Sequence, residues 1–506
     1  MLSVFDQGAL PPCPNDFNLA QYVLQHADDT PNKTALAVLG LSGSSLWTYA
    51  ELKSAVLGTG NGLLASGLKP GQRVLMRLGN TVDFPIAYLG AIAVGLVPIP
   101  TSSQLTGAEV AKIFTMVEPD GVLFDPNVDC PKDFACKYLS TDDLHDFRML
   151  PPADFQLGDP KRLAYVLFTS GTSGKQRPVA HAHRAIWARQ MMWRDWYGIS
   201  ASDRLLHAGA FNWSFTLGTG LLDPWSVGAT SLILRDGTAV SALPDLLKQH
   251  EVSIFAAAPG VYRQILSSGQ ESKFPKLRHG LCAGEKLSEN IRDQWQHATG
   301  LHLHEAFGMS ECSTFISASP TSPMTDRLGR PQTGRRVAIV GPDGPVPIGD
   351  VGQIAISSRD PGLMLGYLNA PDETNAKFQD EWFLTGDLGA MHKDFSVSYH
   401  ARADDMMNAG GFRVSPLEVE AVLQAHPEIF EVAVRDVEVK QDVRIIAAFY
   451  TSDEPISNDV LQVFVVDKLA RYKQPRIYQR VDALPRGTNN KLLRKKLELD
   501  ANLNET

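Results

Sequence analysis

Residues 165–178 read Tyr-Val-Leu-Phe-Thr-Ser-Gly-Thr-Ser-Gly-Lys-Gln-Arg-Pro. A short apolar run, Tyr165 to Phe168, meets six small or hydroxyl residues, Thr169 to Gly174, and then Lys175. Glycine lets a backbone approach a ligand closely, and hydroxyls beside exposed N–H groups suit an anion. A phosphate-binding loop and an ordinary surface turn both satisfy these few residues. A Walker A loop does not fit, because G-x-x-x-x-G-K-[ST] would need glycine at Thr169 and a hydroxyl at Gln176. The chain is therefore not a P-loop NTPase, and the rest of the sequence must supply the class.

Working outward, 506 residues exceed what one hydrophobic core supports, so two or more domains are expected. A hydrophobic content of 44% with 20% charged residues is ordinary globular composition. A net charge of −9 argues against nucleic acid as a main partner, since backbone binding needs clustered positive charge. Cys13, Cys130, Cys136, Cys282 and Cys312 form no C-x-x-C and no paired spacing, which suits free thiols in a reducing compartment. The start, MLSVFDQGALPPCPND, lacks a basic segment followed by a long apolar core, so no secretory signal is expected. The longest charge-free stretch follows Asp83 and carries Pro85, Pro98, Pro100, Gly90 and Gly95; it reads as a buried helix and strand, with no membrane span. A cytoplasmic, multidomain protein is the expectation.

Helical patterns alternate with short apolar runs at 73–78, 95–100, 121–125, 230–234 and 253–258, the rhythm of layered α/β structure with parallel strands. From about residue 330 the texture becomes short runs with turn signals, as in RRVAIVGPDGPVPIGDVGQIAIS, which predicts a β-rich subdomain. After residues 400–414 a compact α+β pattern follows. Its first helix is predicted with Ser415 as N-cap, Pro416 at N1 and Glu418 completing a capping box. Gly58, Gly60 and Gly62 lack the continuation of a dinucleotide fingerprint. His302 with His304 on a presumed strand, and His181 with His183 in a presumed loop, lack a third ligand at metal spacing.

Five ordered motifs carry a resemblance that covers nearly the whole chain: TSGTSGK at 169–175, AGE at 283–285 with HEAFGMSE at 304–311, WFLTGDLG at 382–389, ARADDMMNAGGFRV at 401–414 and LPRGTNNKLLR at 484–494. Together they resemble the adenylate-forming superfamily of acyl-CoA synthetases, aryl-CoA ligases, peptide-synthetase adenylation domains and firefly luciferase. In appearance the chain is closest to aryl- and medium-chain acyl-CoA ligases. The resemblance implies a large N-terminal adenylation domain over 1–401 and a small, mobile α+β domain over 402–506 that carries the catalytic lysine.

It also implies roles. Thr169, Ser170, Gly171, Thr172, Ser173, Gly174 and Lys175 would order around the β,γ-phosphates of ATP; Gln176, Arg177 and Pro178 stand where proline, lysine and glycine are usual. Gly284, Glu285 and Phe307 would hold adenine. Ser310 would contact the α-phosphate and Glu311 would ligate Mg2+, for which an oxygen donor is the right chemistry. Asp387 would accept both ribose hydroxyls, Arg402 and Arg413 would contact ribose and phosphate, and Asp404 would be the hinge. Gly410 and Gly411 would line a pantetheine tunnel, and Lys491, preceded by Asn490 in place of the usual glycine, would be the catalytic lysine. The acyl pocket is expected at Phe211, Asn212, Trp213 and Gly308. A carboxylate attacking an α-phosphate needs no base, only positive charge and positioning, which is what a lysine, a magnesium ion and a donor-rich loop provide. The implied partners are a small carboxylic acid and coenzyme A, with a homodimer as a further expectation. Passing the acyl group to an amine, loading a carrier protein in trans, or nucleotide binding without catalysis are the alternatives.

Overall fold

The computed structural model describes residues 1–40, 43–169, 177–269, 273–284, 286–403, 407–409, 412–440, 443–469, 471–487 and 492–499. The chain divides into two compact units. The larger comprises Phe5–Val337 with Ile356–Phe383, and the smaller comprises Met1–Val4, Ala338–Ala355 and Leu384–Thr506.

The larger unit is organised by a nine-stranded sheet. Six neighbouring strands run parallel: Leu303–Met309, His279–Ala283, Ile254–Ala257, Arg204–His207, Thr230–Leu234 and Thr34–Leu39. They are short and almost continuously apolar because helices cover both faces of a parallel sheet. Ligand sites in such sheets gather beyond the carboxyl ends of the strands. Here those ends lead into Gly284, Ser310 and the segment 208–215. The edges are antiparallel: Ser313–Ser317 beside Leu303–Met309, and Ser45–Thr48 beside Thr34–Leu39.

A second, four-stranded parallel sheet places Arg73–Arg77 between Val97–Pro100 and Gly121–Phe124. The charge-free stretch after Asp83 forms the helix Asp83–Ala93, every residue of which is buried, followed by the strand Val97–Pro100. The three glycines at 58, 60 and 62 lie inside the helix Tyr49–Ala65. A Cβ on Gly62 would stand 2.1 Å from Cγ of Phe147, one on Gly58 2.8 Å from the Arg148 carbonyl oxygen, and one on Gly60 3.0 Å from that of Gly90. These glycines serve helix packing.

The strand Leu163–Phe168 pairs antiparallel with Pro178–Ala182, in register from Tyr165↔His181 to Phe168↔Pro178, and the second strand also pairs with Gly366–Tyr367. His181 is thus in a strand, not a loop as the sequence suggested. Its ring stacks on that of its register partner Tyr165, 5.0 Å between centroids, so the pairing supplies the burial that a loop would not.

The strand Trp382–Met391 belongs to the smaller unit from Leu384 onward, where it pairs antiparallel with Val397–Arg402. The predicted PDG turn closes a hairpin in which Gly341 faces Gly344. The C-terminal residues form the helices Pro416–Gln424 and Asn458–Val466 over a sheet of Glu431–Lys440, Val443–Thr451 and Ile477–Arg480. Ser415 is the N-cap and Pro416 is at N1, yet the capping box does not form. The Ser415 hydroxyl donates to the His400 carbonyl at 2.6 Å, and Glu418 pairs with the Lys473 ammonium. Both side chains are used by stronger neighbours.

Candidate active site

The hairpin Leu303–Met309/Ser313–Ser317 carries Ser310 and Glu311 in its turn. Its register shifts between Phe307 and Gly308, and a Cβ on Gly308 would fall 2.3 Å from the Ser313 carbonyl oxygen. Only glycine lets the strands close there. Ser313 itself has φ +63°, which turns the chain back. Phe307 packs edge-on against Phe315, 5.4 Å between centroids.

The turn is held from three directions. His181 Nε2–H donates to the Ser310 carbonyl at 2.8 Å, since a carbonyl can only accept. The Met364 N–H donates to the Glu311 carbonyl at 2.7 Å, and the Tyr367 hydroxyl donates to Glu311 Oε1 at 2.7 Å. Burial pushes the His181 imidazole down to about 4, so it is neutral at pH 7 and Nδ1 is an acceptor. Burial raises the Tyr367 hydroxyl's pKa, and the Glu311 charge raises it further, so it stays a donor.

The phosphate-loop candidate begins at Thr169, and its residues Ser170–Lys175 lie outside the described residues. Its two flanks are clasped. The Thr169 N–H donates to the Arg177 carbonyl at 3.0 Å, and the Arg177 N–H donates to Thr169 Oγ1 at 3.3 Å. Arg177 also pairs with Glu373 at 2.7 Å and sits over the Tyr367 ring, 5.4 Å from its centroid.

The segment after the strand Arg204–His207 gives the acyl-pocket candidates. Phe211 is 1% exposed, lies 5.3 Å from the Phe84 ring, and donates its N–H to Asn80 Oδ1 at 3.0 Å. Asn212 and Trp213 are half-buried. Trp213 packs across the backbone of Gly284, whose φ of +95° and lack of Cβ admit the indole; a Cβ there would be 2.6 Å from Cζ2. Beneath lies a feature the sequence did not announce. Arg189 donates to Asp223 through Nε at 2.9 Å and Nη2 at 2.6 Å, Tyr197 donates to the same carboxylate at 2.6 Å, and Arg189 also reaches Ser313. A narrow cavity of about 30 Å³ lies beside it, lined in part by His181, Arg189, Ser310 and Ser313.

In the smaller unit Asp387 and Arg402 are register partners. Arg402 Nη1 stands 3.4 Å from Asp387 Oδ2, Tyr399 donates to Oδ1 at 3.0 Å, and the Asp387 N–H donates to Thr385 Oγ1 at 3.0 Å. Burial raises the Tyr399 pKa, helped by the Asp387 charge. Tyr399, Tyr367 and Arg189 were missed from sequence, and His181 was noted without this role; plain alternation sets Tyr399 and Arg402 on opposite faces, and the register shift between Leu388 and Gly389 brings Tyr399 to Asp387. Glu285, Asp404, Gly410, Gly411 and Lys491 lie outside the described residues, and Arg413 is described in its backbone only, opposite Asn408. The flanks of Lys491 are tied by a bridge between Arg486 and Leu492.

Glu311 fits a hard cation. One carboxylate oxygen takes the Tyr367 bond, and among the described residues no donor or cation holds the other. No group of three or more His, Cys, Asp or Glu side chains suited to a metal occurs among the described residues. A single protein carboxylate suits magnesium that arrives on nucleotide phosphates, which fill its remaining positions with oxygen.

Thr169 and Arg177 clasp each other, and Arg177 lies over the ring of Tyr367, whose hydroxyl holds Glu311 at the carboxyl edge of a parallel sheet. The family model described as "AMP-binding enzyme" matches residues 23–368, and that described as "AMP-binding enzyme C-terminal domain" matches 418–491; the chain belongs to this family. It is 29% identical to benzoate–CoA ligase of Thauera aromatica, over 98% of this chain and 99% of that one. It is 29% identical to the mitochondrial acyl-coenzyme A synthetase ACSM2A of Homo sapiens, over 96% and 91%. Among solved structures, a benzoate CoA ligase from Burkholderia xenovorans LB400 superimposes with a TM-score of 0.86 at 26% identity, covering 95% of this chain and 99% of that one.

Proposed function

We infer that this protein is an AMP-forming acid–CoA ligase acting on an aryl, cyclic or medium-chain acid. A carboxylate oxygen of the acid attacks the α-phosphorus of ATP, the bond to the β-phosphate breaks, and its electron pair leaves with pyrophosphate. The thiolate of coenzyme A then attacks the acyl carbon, and AMP departs. The observation that carries the reading is Glu311: a carboxylate fixed in direction by Tyr367, with one oxygen left for a cation, in the motif whose resemblance implies a metal ligand. Near end-to-end likeness to acid–CoA ligases supports coenzyme A as the acceptor.

The residue roles are part of the proposal. Magnesium, when bound at Glu311, would neutralise phosphate charge as it shifts onto the leaving group. Ser310 contacts the α-phosphate, and His181 holds its carbonyl so that the hydroxyl keeps its place. Thr169 and Arg177 anchor the loop Ser170–Lys175 at both ends, and its N–H groups and Lys175 receive the leaving pyrophosphate. Gly284, Glu285 and Phe307 hold adenine. Asp387 takes the ribose hydroxyls in exchange for its Tyr399 and Arg402 partners, with Arg413 near the phosphate. Lys491 stabilises the attack on phosphorus, Asp404 is the hinge for the small domain 402–506, and Gly410–Gly411 then line the path of pantetheine. Asn212, Trp213 and Gly308 bound the acyl group while Phe211 backs them from the core. The enzyme works in the cytoplasm.

The test is a panel of aryl, cyclic and linear acids with ATP and magnesium, reading pyrophosphate release and, with coenzyme A added, thioester by mass. Acid-dependent pyrophosphate and a thioester are expected. Hydroxamate formation with hydroxylamine but no thioester would remove coenzyme A from the reading, and no pyrophosphate with any acid would remove the adenylation.

A further inference from the structure

Tyr367, whose hydroxyl directs Glu311, makes a second contact that the proposed roles do not use. It is 4% exposed and belongs to the two-residue strand Gly366–Tyr367, whose register sets Tyr367 opposite Val179, two residues past Arg177. The surrounding turn fixes it: its N–H donates to Thr374 Oγ1 at 2.9 Å, and that hydroxyl donates to the Ala370 carbonyl at 2.9 Å. From this position the side chain meets both parts of the phosphate machinery. Its hydroxyl donates to Glu311 Oε1 at 2.7 Å, and its ring carries the Arg177 guanidinium 5.4 Å from the centroid. Glu373, in the short helix Pro371–Asn375 that follows, holds Arg177 there at 2.7 Å.

The strengths of these contacts differ in a useful way. The Arg177 and Glu373 side chains are each about one-third exposed, at 34% and 35%, so solvent screens the pair and its grip is weak. A phosphate can compete for Arg177. The Tyr367–Glu311 bond is buried and its acceptor is charged, the stronger kind of hydrogen bond. A cation over the ring face also draws electron density from the phenol and makes its O–H a better donor.

We propose that Tyr367 is a positioning residue shared by the metal site and the phosphate loop: its hydroxyl sets which oxygen of Glu311 faces the cation, and its ring holds Arg177 ready at the loop's mouth. This rests on the reading of Glu311 as the magnesium ligand. Tyr367→Phe removes the hydroxyl and keeps the ring. Tyr367→Leu removes both, and Glu311→Gln is the reference for the metal reading. Each is checked for folding by thermal melting and near-ultraviolet circular dichroism. Manganese binding in the presence of a non-hydrolysable ATP analogue, followed by electron paramagnetic resonance, gives a readout without turnover. In Tyr367→Phe the manganese affinity should fall about tenfold, the cost of losing a hydrogen bond to a charged group. The magnesium concentration for half-maximal pyrophosphate–ATP exchange should rise in step, with the KM for ATP at saturating magnesium unchanged. Tyr367→Leu should show the same metal defect and a raised KM for ATP. Wild-type metal affinity in Tyr367→Phe, alongside a loss in Glu311→Gln, overturns the role of Tyr367 and leaves the metal reading standing. Wild-type affinity in both variants overturns the metal reading and this inference with it.

Discussion

Two buried carboxylates in the larger unit make a natural pair. Asp223 is 0% exposed and Glu311 6% exposed, and each accepts a short hydrogen bond from a tyrosine hydroxyl, Tyr197 at 2.6 Å and Tyr367 at 2.7 Å. There the likeness stops. Asp223 also receives two guanidinium nitrogens of Arg189, so its charge is neutralised inside the fold. Glu311 has no cation among the described residues. Removing an ion from water costs several kcal/mol unless a partner replaces the lost solvation. One site therefore meets that cost with protein, and the other, on the proposed reading, leaves it to a ligand. A carboxylate that is oriented but uncompensated is the mark of function, and a compensated one is the mark of architecture.

The largest effect should come from the lysine proposed to stabilise attack on phosphorus. Lys491→Ala should reduce carboxylate-dependent pyrophosphate–ATP exchange by several powers of ten, a preorganised charge contact being worth roughly 3 kcal/mol or more; exchange at the wild-type rate would remove the lysine from the mechanism. Glu311→Gln should follow with a loss of about a thousandfold in exchange, while urea unfolding stays within about 1 kcal/mol of wild type, because no internal ion pair is broken. Asp223→Ala should show the opposite signature, a loss of about 3–5 kcal/mol in unfolding free energy, since Arg189 is left buried and unpaired. If the two variants exchanged signatures, the distinction between the carboxylates would be wrong.

The smallest effect sharpens the support beneath Ser310. The His181 pKa in the folded protein, about 4, lies below its ordinary value near 6.5, so the unfolded chain binds a proton that the folded one refuses. The associated stability is present above pH 6.5 and declines as pH falls toward 4. Between pH 7 and pH 5 this one residue should contribute a loss on the order of 2 kcal/mol. His181→Gln, which keeps a donor for the Ser310 carbonyl, should flatten that part of the curve when unfolding is measured at both pH values. An unchanged slope would mean that the imidazole is hydrated in the native state.

The layered fold was legible because its strands are apolar on both faces and its turns carry their own chemistry; Arg73–Arg77, Thr230–Leu234 and Ile254–Ala257 fall where the runs predicted. Glu311, Asp387 and the stretch Thr169–Lys175 stood out in the sequence as short motifs, since short spacings preserve their identity. Their partners were not. Tyr367 meets Glu311 across 56 positions and His181 meets Ser310 across 129, and only the register of separate strands brings them together. Arg189 and Asp223 were hidden for the same reason: either alone reads as an ordinary surface charge. The failed capping box at Ser415 shows the converse, a correct local pattern overruled by the distant His400 carbonyl.

The three glycines of the helix Tyr49–Ala65 bear on any attempt to harden this enzyme. Alanine is ordinarily the better helix former by about 1 kcal/mol per residue, so a designer working from propensity would replace all of them. At position 62 the added methyl would collide with a phenylalanine ring, and at 58 with two main-chain oxygens. Heat resistance in this segment has to be sought on its solvent side, because the inner side already lets neighbouring chains touch at the smallest separation an amino acid allows.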